Sequence, residues 1–174
     1  MNREKMELLV GVIHWEEFVD NVDRLLIQRF PNGIETLMLE IPTNWHQVGY
    51  YRVPNFFLEL AGRYSKRGTK IIYGDADLPK RLTRWTLLKH YFSHKRDKLM
   101  ANNVEKENPQ VAVVAKRHAN YIKRSFPEVP YVAFGLVASD KVEAIIYKLL
   151  DRAYKPNQVI NLAPRLPLEQ YSNE

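Results

Sequence analysis

Short apolar runs alternate along this chain with longer segments in which apolar residues recur every three or four positions. The short runs are typical of strands, and the longer period is typical of one helix face. Five runs are predicted to be strands, at residues 6–13, 34–41, 69–73, 111–114 and 130–134. A sixth run, at residues 159–162, is predicted to be an edge strand.

The segments between these strands carry the helical period. Helices are predicted over residues 15–26, from 56 to near 68 and over about 80–106, in a short segment ending at Phe126, and over 142–150. A polar stretch is expected between the fourth strand and the short helix. Because parallel neighbouring strands need crossover connections, this alternation predicts an α/β fold with a mostly parallel sheet flanked by helices.

The chain has 174 residues, 45% of them hydrophobic, which suffices for one sizeable core. We find no internal repeat and predict a single compact domain over 1–174. The proline-containing tail, 154–174, is expected to run over the surface.

Several function classes are disfavoured by residues that the sequence lacks. There is no cysteine, which excludes a thiol nucleophile and fits either a reducing cytoplasm or a cysteine-poor lineage. The apolar run Leu8–Ile13 is too short for a membrane span, which needs about 20 residues. No phosphate-binding glycine loop and no GxSxG nucleophile elbow follows any strand.

The net charge of +6 is concentrated in one segment. Its cations are Lys80, Arg81, Arg84, Lys89, Lys95, Arg96 and Lys98. They favour an anionic ligand or an acidic partner over nucleic acid, because Leu88, Phe92 and Leu99 have core-facing helical spacing. His90 and His94 have a metal-chelating spacing, but Tyr91 stands where a zincin has its glutamate, which favours a solvated helix face.

Each of the first four predicted strands is followed or ended by an ionisable side chain: His14, Glu40, Asp75 and His118. Ligands of open parallel sheets collect at the carboxyl ends of the strands. Imidazoles and carboxylates there suit either a divalent metal or general acid–base chemistry. The structural alternative is that the histidines cap helices and the carboxylates pair with arginines.

Several short motifs occur here in a characteristic order. Gly11-Val12-Ile13-His14 is a GxxH motif, and Ala115-Lys116-Arg117-His118 is a degenerate second copy. With Leu39-Glu40, Tyr73-Gly74-Asp75 and the segment 95–101 (KRDKLMA), they resemble the TraB/PrgY and Tiki group, whose superfamily includes ChaN-like and erythromycin-esterase-like proteins. The resemblance spans roughly Gly11 to Phe126.

The resemblance implies an α/β fold with two motif histidines and acidic residues around a cleft. Some members use it as a metal-dependent peptidase site, whereas others bind haem or hydrolyse an ester. His14 and His118 match the motif histidines, Glu40 the acidic residue, Arg96 the helix arginine and, less closely, Asp75 a second acidic position. Alanine replaces the second motif glycine, and the two cations before His118 disfavour a bound divalent cation.

Two hypotheses follow from these residues. In the first, the chain is a peptidase-type or esterase-type hydrolase with His14, Glu40 and His118 as catalytic residues. Manganese, cobalt or zinc would be held by His14, Glu40, Asp75 and His118. Arg96, Lys116 and Arg117 would hold an anionic small molecule or peptide substrate.

In the second hypothesis, the chain is a non-catalytic binding or regulatory domain of the same fold. Arg96, Lys116 and Arg117 then hold an anionic ligand, and the histidines only shape the pocket. In both, the loop 43–53 is a candidate lid. The sequence leaves the substrate and the oligomeric state open.

Overall fold

The structure is a computed structural model that describes residues 6–13, 16–49, 51–79, 94–134 and, in backbone only, 161–162. It contains one sheet of six parallel strands in the order β3-β2-β4-β1-β5-β6. The strands are β1 (Leu8–Val12), β2 (Thr36–Pro42), β3 (Lys70–Asp75), β4 (Val111–Ala115), β5 (Tyr131–Phe134) and β6 (Asn161–Leu162). The predicted α/β class is confirmed.

Within the described ranges, four α-helices accompany the sheet. They are α1 (Val19–Arg29), α2 (Asn55–Lys66), α3 (His94–Glu107) and α4 (Lys116–Ser125), and short 3-10 helices lie at Glu16–Phe18 and Trp45–Gln47. The predicted helix over 142–150 and residues 80–93 of the long basic helix lie outside the described residues. None of the described helices is long and apolar enough to cross a membrane.

Strands β1, β2, β4 and β5 are buried along almost their whole length, and their successive side chains alternate between two cores. Leu37 and Leu39 pack in the core that includes α1 and α2, whereas Met38 packs in the core that includes α3 and α4. Glu40 follows Met38 by two positions, so the alternation places its side chain on the face of α3 and α4.

Two glycines allow close packing within this second core. A Cβ on Gly11 would lie 2.6 Å from the hydroxyl of Tyr131 and 3.1 Å from the Cβ of Ala119. A Cβ on Gly74 would lie 2.5 Å from the sulfur of Met38. A side chain at Gly11 would therefore require Tyr131 to move, and a side chain at Gly74 would require Met38 to move.

Two local predictions were wrong. Gly74-Asp75 was expected to break the third strand, but β3 continues to Asp75, because Gly74 is the residue that fits beside Met38. A polar stretch was expected after β4, but α4 begins at once at Lys116. That stretch is the first turn of the helix, and it carries His118.

Candidate functional site

The carboxyl ends of the parallel strands lie at one edge of the sheet, and a buried polar cluster has formed there. Glu40 of β2 and Asp75 of β3 meet Arg96 and Asp97 of α3 and His118 of α4. All five residues are at least nine-tenths buried. Buried ionisable groups need partners, and each of these has at least one within the cluster.

Arg96 binds the carboxylates of two neighbouring strands, Glu40 of β2 and Asp75 of β3. Its Nε lies 2.8 Å from Oδ1 of Asp75, and its Nη2 lies 2.5 Å from Oδ2 of Asp75 and 2.8 Å from Oε1 of Glu40. Burial by itself lowers the pKa of Arg96, but hydrogen bonds to Asp75 and the negative charges of Glu40 and Asp75 outweigh burial and raise that pKa overall. Arg96 is therefore a permanent cation between two carboxylates.

Glu40 is fixed from a second side as well. Its Oε2 accepts a hydrogen bond from the backbone N–H of Ala115, at 2.5 Å. This N–H immediately precedes α4, where the helix dipole favours a negative charge. Glu40 therefore links β2 and α3 to the start of α4.

His118 lies between two carboxylates. Its Nδ1 is 2.5 Å from Oδ1 of Asp97, and its Nε2 is 3.4 Å from Oε1 of Glu40. The other oxygen of Asp97 lies 3.9 Å from the guanidinium of Arg117, whose side chain is 19% exposed. Both ring nitrogens of His118 thus face an acceptor.

The structure brings most of the predicted site residues together. Glu40, Asp75, Arg96 and His118 belong to the cluster, and Arg117 borders it through Asp97. Lys116 is buried at the start of α4. His14 lies outside the described residues.

Asp97 is the member of the cluster that sequence reasoning missed. It stands directly after Arg96 in the segment that carries the family resemblance, where it is an acidic residue surrounded by cations. The available signal was its position next to a motif arginine. Its partner, His118, is 21 residues away in the chain.

Among the described side chains, the carboxylates of this cluster are engaged by a protein cation and not arranged around a common metal position. Within the described ranges, no group of three or more histidine, aspartate or glutamate side chains is placed to hold a metal ion. Both oxygens of Asp75 and one of Glu40 accept hydrogen bonds from Arg96, so these carboxylates already have a cationic partner.

The loop after β2 borders the cluster. Its Asn44 exchanges two hydrogen bonds with the backbone of Leu78, from Nδ2 to the carbonyl at 3.0 Å and from the Leu78 N–H to Oδ1 at 2.8 Å. Thr43 also donates to Asp77. Tyr51, in the candidate lid, interacts electrostatically with Arg96. The loops after β2 and β3 are thus tied together beside the site.

A second cluster of ion pairs lies on the other face of the sheet. Mutations there serve below as controls for mutations in the candidate site. Asp23 of α1 accepts hydrogen bonds from Arg63 at 3.0 Å and from Arg67 at 2.6 Å. Asp23 is buried, like the acidic residues of the site. It shares their chemistry but contacts none of them in the hydrogen bonds described.

The chain was also compared with known proteins. A scan against protein-family models and a search of curated proteins gave no match. The resemblance to the TraB/PrgY and Tiki group therefore stays a prediction based on the motifs alone.

Proposed function

We propose that the chain is a TraB-like hydrolase, of peptidase or esterase type, in which His118 is the acid–base residue. One observation carries the proposal: His118 is held between Asp97 and Glu40 at the carboxyl edge of a parallel sheet. This edge is where open α/β sheets bind ligands. Imidazole is the side chain best suited to exchange protons near neutral pH.

The reaction needs one proton to move twice. His118 Nε2 takes a proton from water while the water oxygen forms a bond to the carbonyl carbon of the substrate. The tetrahedral intermediate then collapses, and its bond to the leaving nitrogen or oxygen breaks. Nε2 returns the proton to that leaving atom, so the imidazole is regenerated.

Glu40 and Arg96 support this cycle without entering it. The Glu40 carboxylate, 3.4 Å from Nε2, stabilises the imidazolium that forms in the first step. Arg96 and the Ala115 N–H hold that carboxylate in place. In this proposal Arg96 compensates the negative charges of Glu40 and Asp75. Arg117 and Lys116 bind the anionic group of the substrate.

The burial of His118, only 4% exposed, requires an opening step before a substrate reaches Nε2. The loop 43–53 is the proposed cover, since Tyr51 lies within electrostatic range of Arg96. Its link to the loop after β3 through Asn44 and Leu78 means that both would move together. Turnover would then depend on this movement as well as on chemistry.

The test is a hydrolysis screen with the purified protein. Chromogenic esters and a mixed peptide library are offered to wild type, His118→Gln, Glu40→Gln and the control Asp23→Asn, each checked for folding by circular dichroism. We expect wild type and Asp23→Asn to hydrolyse at least one substrate and His118→Gln to lose that activity. A wild type inactive on the whole panel, or a fully active His118→Gln, contradicts the proposal.

The second candidate is a non-catalytic domain that binds an anionic ligand. The observation that favours it is a set of cations at the start of α4 and in α3. Among them, Arg117 of α4 is partly exposed beside Asp97 of α3. It predicts that Arg117→Gln loses binding of a small polyanion, whereas His118→Gln retains it. The hydrolase proposal predicts that His118→Gln loses turnover even when binding persists.

A further inference from the structure

We infer that Asp97 is the positioning residue of His118: it accepts the Nδ1–H hydrogen bond, fixes one tautomer and leaves Nε2 as the nitrogen that exchanges protons. The inference rests on the proposed function for its catalytic consequence. The tautomer itself is independent of any activity. The relevant contact is the 2.5 Å separation of Asp97 Oδ1 and His118 Nδ1.

The chemistry of the pair determines the direction of the hydrogen bond. A carboxylate has only acceptor lone pairs, so the proton between the two atoms belongs to Nδ1. Nε2 also faces a carboxylate, but Oε1 of Glu40 is 3.4 Å away. The shorter contact to Asp97 therefore decides which nitrogen of the neutral ring holds the proton, and the lone pair lies on Nε2. Asp97 therefore selects the tautomer that a general base at Nε2 requires.

The surroundings make this selection strong. The side chains of Asp97 and His118 are each 5% exposed, so water competes little for the hydrogen bond. The two residues lie on packed helices, α3 and α4, which hold the ring in one orientation. Arg117 lies 3.9 Å from the other oxygen of Asp97, so a cation flanks this carboxylate on its second side.

A merely structural Asp97 would only tie α3 to α4, and an asparagine could largely replace it. The positioning role predicts a different result, because an asparagine amide can donate to Nδ1 and so favour the opposite tautomer. The measurement that separates these roles is the ¹⁵N NMR spectrum of the imidazole ring. The His118 signals are assigned by their loss in His118→Gln.

The experiment compares wild type, Asp97→Asn, Asp97→Glu and the matched control Asp23→Asn, all at a mildly alkaline pH. We expect the Nδ1–H tautomer to dominate in wild type and in Asp23→Asn and to lose its dominance in Asp97→Asn. Asp97→Glu should restore it at least in part. On any substrate found, kcat should fall in Asp97→Asn by about 10²- to 10⁴-fold, the usual contribution of acid–base catalysis.

The outcomes separate the two proposals. An unchanged tautomer in Asp97→Asn, or the Nε2–H form in wild type, overturns the inference whatever the activity. A tautomer that changes in Asp97→Asn supports positioning even if wild type hydrolyses nothing, in which case the proposed function fails alone. A changed tautomer with an unchanged kcat contradicts the catalytic part of the inference.

Discussion

The guanidinium of Arg96 meets the carboxylate of Asp75 through two parallel hydrogen bonds, from Nε to Oδ1 at 2.8 Å and from Nη2 to Oδ2 at 2.5 Å. This bidentate geometry is the strongest that an arginine and a carboxylate form. The Asp75 side chain is fully buried and that of Arg96 is 8% exposed. Removal of the arginine would leave two carboxylates, Asp75 and Glu40, without this cation.

Arg96→Met should therefore destabilise the fold by about 3–5 kcal/mol, the cost of breaking a buried ion pair from one side. The control is Arg67→Met, whose arginine side chain is 43% exposed and pairs with Asp23. That change should cost only about 0–1 kcal/mol. Urea unfolding measures both free energies, and equal losses would contradict the prediction.

Gly11→Ala should destabilise the protein by about 1–3 kcal/mol, the usual cost of overpacking. Its Cβ would lie 2.6 Å from the Tyr131 hydroxyl, which donates to Asn120 at 2.9 Å. Gly62→Ala is the matched control, since nothing lies within 4 Å of its Cβ position in α2. It should gain about 1 kcal/mol from helix propensity. Thermal unfolding that moves both variants in one direction would refute this reading.

Asp23 should make the free energy of unfolding depend on pH. Burial by itself raises the pKa of Asp23, but hydrogen bonds from Arg67 and Arg63 outweigh burial and hold that pKa below its usual value. A lowered folded-state pKa contributes stability that is complete above the unfolded value, about 3.9, and is lost as the pH falls through the folded pKa.

The measurement is the free energy of unfolding of wild type and Asp23→Asn against pH. The gap between the two proteins should be widest near neutral pH and should narrow as the solution becomes acidic. A gap that stays constant down to acid pH would show that the charge of Asp23 contributes nothing.

Metal binding is tested by titrating manganese, cobalt and zinc into wild type and His14→Ala. We expect no stoichiometric binding to wild type, because Arg96 engages the carboxylates of Asp75 and Glu40. Stoichiometric binding that is lost in His14→Ala would contradict this expectation and favour the metallohydrolase that the family resemblance implies. Isothermal calorimetry and metal analysis of the purified protein give the stoichiometry.

The strand pattern could be predicted because burial on both faces leaves uninterrupted apolar runs such as Val111–Val114. The convergence of Glu40, Asp75 and His118 followed from parallel strands that share one carboxyl edge. The extension of β3 through Gly74 could not be predicted locally. It depends on a neighbour, Met38, that only the folded sheet brings close.

The interior of the site could not be predicted for a similar reason. Whether Arg96 faces a substrate or two carboxylates depends on how α3 packs against the edge of β3. The pairing of Asp97 with His118 depends on how α3 packs against α4. Local sequence patterns specify helices and strands, but such contacts arise from their packing.

The register of β1 and β4 explains why the two GxxH copies differ in their first residue. Gly11 is aligned with Val114, so Ala115 is aligned with Val12 instead, and the copies are staggered by one position. Alternation along the strands therefore points the Cβ of Ala115 away from Tyr131 and towards the face of α1 and α2. A methyl group is harmless there. The glycine of the motif thus meets a steric requirement at β1 that the register does not impose on Ala115 in β4.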